Sequence, residues 1–239
     1  MDPHGANRFL AGAQVDDAVF ALRPDYRALL VVIEGLAGGP SDARSDALLA
    51  RAEQVALGLI ATTPVEDLPQ IAAWRAAYRA FGAKPQRTRN SLEALTRRAS
   101  AGLPRVNRLT DTYNAISVIH QVPLGGEDLD GYAGSPRLRR ALGSETFDTI
   151  AAGEPAVDHP EPGEVIWCDD AGVTCRRWNW RQCRRTALTA STTSALFIID
   201  ALAPAGDADV ERVGDELAEA LGGVGPGIRI SRRLIAGRG

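Results

Sequence analysis

The residues best suited to chemistry lie between positions 176 and 185, where the chain reads R-R-W-N-W-R-Q-C-R-R. Five arginines, Arg176 and Arg177 among them, surround Trp178 and Trp180, with the amides of Asn179 and Gln182 in between. Guanidinium groups neutralise phosphates, indole and guanidinium planes stack on bases, and amides reach base edges, so the segment suits a single-stranded RNA end. A second basic block spans residues 74–109. There Arg75, Arg79, Lys84, Arg87, Arg89, Arg97, Arg98, Arg105 and Arg108 stand against one acid, Glu93, a local balance of +8. A plainer interpretation stands beside this one: arginines on helices commonly form a solvated face, and tryptophans on a strand commonly pack in the core. On an alternating strand Trp178 and Trp180 share one face, leaving Asn179 and Arg181 on the other, facing a site. In the stretch L-G-G-E-D-L-D-G-Y, Gly125, Gly126 and Gly131 favour turns and let a backbone approach a ligand, while Asp128 and Asp130 can satisfy loop amides.

Several classes are excluded by what is missing. Neither G-x-G-x-x-G nor G-x-x-x-x-G-K-[ST] occurs, which removes the simplest nucleotide-binding loops, and there is no G-x-S-x-G elbow for a serine hydrolase. Cys168, Cys175 and Cys183 are odd in number and lack a C-x-x-C pair, so reduced thiols are expected rather than a disulfide framework, a zinc site or any other cofactor. No run of about 18 apolar residues and no hydrophobic leader after Met1 are present, so the expectation is a cytoplasmic protein with no membrane contact. The net charge of -3 is uninformative beside the uneven distribution. A hydrophobic fraction of 45% in 239 residues is enough for a full core, and the chain reads as one domain over 1–239.

The elements that must position these residues follow from periodicity. Residues 15–35 read as short strands, with 28–33 a buried run ended by Gly35. Residues 41–59 carry apolar side chains at helical spacing, and so do 65–81, with Pro64 suited to the first turn and Gly82 to the stop. After a basic loop at 83–89, Asn90 caps a third helix at about 92–101, with Glu93 at the capping-box position. A fourth helix covers 110–120, where a terminal His120 suits the helix dipole. Residues 151–164 read as loop, 165–169 and 173–178 as a hairpin around Asp170-Ala171-Gly172, and 195–202 as an apolar strand. An acidic amphipathic helix at 209–221 and a last strand at 227–234 complete the chain. Strands, a cluster of helices and strands again give an α+β fold with helices on a mainly antiparallel sheet system.

Ordered strings then carry a specific resemblance. Tyr78 to Pro85 (Y-R-A-F-G-A-K-P), S-L-E-A-L from Ser91, L-P-R-V-N from Leu103, D-T-Y-N ending at Asn114, V-P-L-G-G-E-D-L-D from Val122, G-E-V-I-W-C-D-D from Gly163, and the segment 175–182 together resemble the B3/B4 tRNA-editing domain of the phenylalanyl-tRNA synthetase beta subunit, in a free-standing form. The resemblance covers roughly residues 70–205 and implies helices on a sandwich-like sheet with a pocket for the aminoacylated 3' end of tRNA. Asn114 matches the family's asparagine on the helix before the glycine segment, and Asp200 falls where the family carries an acid near the substrate side chain. One departure is plain: the family's Q-P-L-H-A-F-D places a histidine where this chain has Gly125. The R-W-N-W-R-Q segment also replaces a glycine-rich stretch, so neither a histidine-dependent role nor tyrosine selectivity carries over.

The expected activity is hydrolysis of mischarged aminoacyl-tRNA in trans. An aminoacyl ester is already activated, so a positioned water and a polarised carbonyl suffice. Catalytic roles fall to Asn114, orienting water, and to the backbone N–H groups of Gly125 and Gly126, aimed at the carbonyl oxygen. Substrate contacts fall to Asn179, Arg181, Gln182 and Asp200, the last holding an ammonium or hydroxyl unless it simply pairs with an arginine. Lys84, Arg87, Arg89, Arg176 and Arg177 are the expected tRNA contacts. Two alternatives remain open, a non-catalytic tRNA-binding or regulatory module and a small-molecule amino-acid or amine binder.

Overall fold

The computed structural model describes residues 5–237 and has an α+β architecture. In chain order, α1 (Gly5–Gly12), β1 (Gln14–Val15) and α2 (Asp17–Leu22) lead into the long strand β2 (Arg27–Glu34). A helical centre follows, made of α3 (Ala43–Ile60), α4 (Pro69–Ala80), α5 (Ser91–Arg98) and α6 (Arg108–His120). The strand-rich half contains β3 (Leu124–Asp128), β4 (Arg137–Arg140), β5 (Phe147–Ala151), β6 (Glu154–Asp158), β7 (Val165–Asp169), β8 (Gly172–Arg176), β9 (Arg181–Gln182) and β10 (Ser194–Ala201). The last elements are α7 (Asp207–Gly222) and β11 (Arg229–Ala236).

Two sheets position the site. The first has the order β11-β2-β10-β3 and is antiparallel throughout; the second has the order β1-β4-β7-β8-β9, with β1 parallel to β4. β2 and β10 are apolar almost without interruption because both of their faces are covered. Leu29, Val31, Ile33, Phe197 and Ile199 pack on α6 and α7, while Ala28, Leu30, Val32, Leu196 and Ile198 meet Trp167 of β7, Cys175 of β8 and Trp74 of α4. Alternation of side chains along a strand makes this double burial possible.

Helix starts follow their caps. The Asp42 side chain accepts from the backbone N–H groups of Arg44 and Ser45 to open α3, and Asn107 accepts from Thr110 to open α6. At α5 the Asn90 half of the expected capping box forms, with Oδ1 accepting from Glu93 N at 2.9 Å. The Glu93 carboxylate turns instead to Arg75 and Arg97.

Four expectations need correction. The interval expected to hold only short strands contains α2, and β1 is two residues long. α4 begins at Pro69, after a short 3-10 turn at Val65–Asp67, because a proline at the first helical position keeps its predecessor out of the helical region. Residues 147–158 form the β5–β6 hairpin, extending into the interval 151–164 expected to be loop. Finally, the glycine segment expected as a turn is the edge strand β3, and β8 stops at Arg176 because Arg177 and Trp178 adopt left-handed φ values of 47° and 68°.

Candidate functional site

A cavity of about 160 Å³ opens between the two sheets beside β3. α6 contributes Tyr113 and Asn114, β3 contributes Leu124, Gly125 and Glu127, and β10 contributes Ile198 and Asp200. Trp167 and Cys175 line it from the second sheet, and the turn from Trp178 to Gln182 forms the remaining wall. Asn114, Gly125, Asn179, Arg181, Gln182 and Asp200, which lie far apart in sequence, therefore share one cavity. A larger groove of about 900 Å³ between α3 and α7 contains none of them, and several of its charges are paired, Arg51 with Glu216 and Arg108 with Asp42 among them.

The turn at 177–180 explains how one short segment serves both core and site. Two consecutive left-handed residues swing Trp178 inward, where it is fully buried against Tyr26, Trp74 and Phe81. Such backbone conformations cost about 1–3 kcal/mol each for non-glycine residues and need surrounding contacts to hold them. Glu164 supplies one, accepting the Arg177 N–H at 3.0 Å, and Val165 another, its carbonyl accepting the Trp178 N–H at 2.7 Å. Trp180 stays at the rim with the Arg177 and Arg181 guanidinium groups each 4.5 Å from its ring centre. The simple alternation expected for Trp178 to Arg181 is thus replaced by a turn that puts all four residues on the cavity wall.

Asp200 is 3% exposed and accepts a hydrogen bond from the Tyr26 hydroxyl at 2.5 Å. No arginine pairs with it among the described residues. Burial pushes its carboxyl up to about 7, against the lowering effect of Tyr26 and of the neighbouring Trp167 and Asn179 side chains. Across the cavity Glu127 is 1% exposed; Tyr132 donates to its Oε2, while Oε1 has no partner. Burial raises this carboxyl to about 7 as well, with the Tyr132 hydrogen bond opposing the rise. Asn179 accepts from the Tyr78 hydroxyl at 3.0 Å through Oδ1, leaving its buried Nδ2 unpartnered. Asn114, 9% exposed, makes no side-chain hydrogen bond within the described chain, so its amide is open to whatever enters. The Cys175 thiol is pushed well above its ordinary range by burial and by the Glu127 and Asp200 charges, which makes it an inert wall rather than a nucleophile.

The glycine pair behaves differently from the open loop expected. In the antiparallel register Asp200 N donates to the Pro123 carbonyl at 3.0 Å and Gly125 sits opposite Ile198, so the Gly125 N–H belongs to the ladder with β10. Gly126 has the opposite parity; its polar groups face the outer edge, which the bridge from Glu127 to Ala187 covers, its carbonyl accepts from Gln182 Nε2 at 3.0 Å, and it does not line the cavity. Two glycine amides converging on one oxyanion are therefore not what β3 presents. The space above Gly125 is filled by Gln182, whose Nε2 lies 2.9 Å from where a Cβ would stand.

The basic residues divide sharply. Within the 74–109 block, Arg75, Arg89 and Arg97 pair with Glu93, Arg105 with Asp46 and Glu53, and Arg108 with Asp42. Arg79, Lys84, Arg87 and Arg98 are exposed and make no ion pair among the described residues. Lys84, Arg87 and Arg89 lie on the loop that joins the cavity wall, since Thr88 accepts from Arg177 and Ser91 N donates to the Asn179 carbonyl at 3.0 Å. Arg176 corrects its expected role as a tRNA contact: it is 5% exposed, and its guanidinium is held by Glu164 at 2.8 Å and Asp158 at 2.5 Å. Arg177 is half-buried and shares Glu164, whereas Arg181 is exposed and has no ion pair among the described residues.

Sequence reasoning missed Glu127, Tyr26, Tyr78 and Tyr113. For Glu127 a signal was present, because reading 124–128 as a strand puts positions 125 and 127 on one face. His120 pairs with Glu216 at 2.6 Å away from the cavity. Among the described residues no cluster of three metal-ligating side chains occurs, and no helix is long and apolar enough to cross a membrane.

Comparison with solved structures finds the N-terminal fragment of the phenylalanyl-tRNA synthetase beta subunit from Pyrococcus horikoshii, at 14% identity and a TM-score of 0.48. The match covers 91% of this chain and 49% of the other, so the chain spans about half the length of that fragment. No curated protein sequence matches. The B3/4 domain family matches residues 73–212, an interval holding Asn114, Glu127, the 177–182 turn and Asp200. That match spans more than half of the sequence, and the chain belongs to the B3/4 domain family.

Proposed function

We propose that the protein is a trans-acting deacylase of mischarged aminoacyl-tRNA. The observation that carries this reading is the convergence of Asn114, Asn179, Gln182 and Asp200 on one cavity whose rim bears the unpaired Arg181 and adjoins the Lys84–Arg89 loop. The tRNA connection comes from the family, through the ordered strings that resemble its tRNA-editing members. The enzyme's task is small, since the ester is activated: water must be held in line, the carbonyl polarised and bulk solvent kept out. Asn114 orients the water through its open amide, and the unpartnered Asn179 Nδ2 is available to the carbonyl oxygen, replacing the glycine amides. The vicinal ribose hydroxyl assists proton transfer, Asp200 receives a polar group of the amino acid, and Trp180 with Arg181 meets the terminal nucleotide.

The test is incubation with a panel of mischarged tRNAs, with an editing synthetase as positive control. Ester cleavage above buffer, reduced by Asn114→Ala, is expected; no cleavage of any member sinks the enzyme claim. A second reading, a non-catalytic tRNA-binding module, is favoured by one observation, the engagement of the Gly125 amide in the ladder. Salt-dependent tRNA binding without turnover would select it.

A further inference from the structure

We infer that Glu127 is a specificity-determining residue that, together with Asp200, makes the cavity selective for a group carrying an organic ammonium. The inference deepens the proposed function by naming a substrate class for the same site, and it rests on that reading for the identity of the carrier. Its basis is geometric. β3 and β10 are adjacent, and alternation puts Gly125 and Glu127 on the face that also carries Ile198 and Asp200, the face turned toward the second sheet. Both carboxyls line the cavity, both are at least nine-tenths buried, and neither has a cationic partner among the described residues. The nearby Arg185 is committed to Asp169, with both Nη atoms at 2.8 Å from its oxygens.

The free acceptors match the donors of an ammonium. Glu127 Oε1 is buried without a hydrogen bond, and Asp200 keeps one oxygen outside its bond to Tyr26. An ammonium brings three N–H donors and a countercharge, whereas a hydroxyl brings one donor and leaves two acids uncompensated. The other walls favour a cation too, since Trp167, Trp178, Trp180 and Tyr113 surround the carboxyls with aromatic surface. The ammonium can be the α-amino group of an aminoacyl ester or an amine at the end of a side chain.

Three small amides separate these sources: norleucine amide carries only the α-ammonium, Nα-acetyl-lysine amide only the side-chain ammonium, and Nα-acetyl-norleucine amide neither. Binding is followed by tryptophan fluorescence at pH 7.5, above the region near 7 where both carboxyls lose their protons and below the ordinary α-amino range of about 7.7–8.0, so that the α-ammonium is still largely protonated. At least one cationic amide should bind about tenfold or more tightly than the neutral one, the scale of a hydrogen bond to a charged group. The Glu127→Gln variant, which keeps side-chain shape and an acceptor for Tyr132, should lose that preference with an unchanged circular dichroism spectrum. Equal binding of all three amides by the unmodified protein overturns the inference, whether or not the variant folds. Retention of the full preference in a folded Glu127→Gln protein overturns it as well. Undiminished cleavage of N-acetyl-norleucyl-tRNA, which carries neither ammonium, would refute the ammonium requirement and leave the hydrolase reading standing, whereas a cation preference without cleavage of any ester would do the reverse.

Discussion

Replacing Asp200 by asparagine should change how stability depends on pH, by an amount that follows from the burial of this carboxyl. In the folded protein Asp200 loses its proton near 7 rather than at its ordinary 3.8. A raised folded-state pKa means that the native state binds the proton more tightly than the unfolded chain does. The associated stabilisation is complete below the ordinary value and is lost as pH rises through about 7. Two pH units of this loss fall between pH 5 and 7, which at about 1.36 kcal/mol each is roughly 3 kcal/mol, after which the contribution is flat. Asp200 is only 3% exposed, so solvent screening does not reduce this figure appreciably. Urea denaturation of the unmodified protein and of Asp200→Asn at pH 5, 6, 7 and 8.5 gives the difference, because the other titrating groups are common to both and only the coupled Glu127 contributes beside Asp200. The variant should gain on the parent by roughly 3 kcal/mol between pH 5 and 8.5, most of it by pH 7. Parallel stability curves would refute the argument, since they would mean that Asp200 is ionised at the same pH in both states. Glu127→Gln supplies an internal check: removing the neighbouring charge that raises the Asp200 pKa should move the remaining transition to lower pH.

Other substitutions separate chemistry, binding and folding. Asn114→Ala should lower deacylation far more than tRNA affinity, measured by single-turnover cleavage beside filter binding, because the amide makes no structural hydrogen bond. Arg181→Ala and Arg87→Glu should weaken tRNA binding and reduce the slope of log affinity against log salt, by about 1 for each phosphate no longer neutralised, in titrations at several salt concentrations. Arg176→Ala should instead destabilise the fold by about 3–5 kcal/mol in denaturant melts, because Glu164, 2% exposed, is left buried with its principal ion pair gone. The adjacent glycines should respond unequally in thermal melts. Gly125→Ala meets only the mobile end of Gln182 and costs ~1 kcal/mol through the Gln182–Gly126 hydrogen bond. Gly126→Ala pushes into Leu188, Phe197 and Tyr113 at 2.8–2.9 Å and costs about 1–3 kcal/mol.

Much of the scaffold was legible because it rests on local rules. The apolar run at 28–33 became β2 and that at 195–202 became β10, the hairpin around Gly172 formed, and Asn90 capped α5. These elements depend on propensity, periodicity and short-range hydrogen bonds, all of which act within a few residues. The glycine segment failed the same reasoning because its strand character comes from a partner some seventy residues away, β10, whose ladder outweighs the turn preference of Gly125 and Gly126. The two left-handed residues at 177 and 178 carry no glycine to announce them; they are held by Glu164 and Val165, again non-local partners.

The sequence by itself determined the α+β composition, the helical centre, the buried central strands and the family, together with the residue types available to the cavity. It also placed two basic blocks, but not their charge state toward solvent. Only the tertiary structure decided that Arg176 is spent on Glu164 and Asp158, that Arg87 and Arg181 have no ion pair among the described residues, and that Glu127 joins Asp200 in one cavity. The reason is physical: hydrogen-bond parity, burial and countercharge are properties of pairs brought together across the two sheets, and residues distant in sequence acquire them only when the strands have paired.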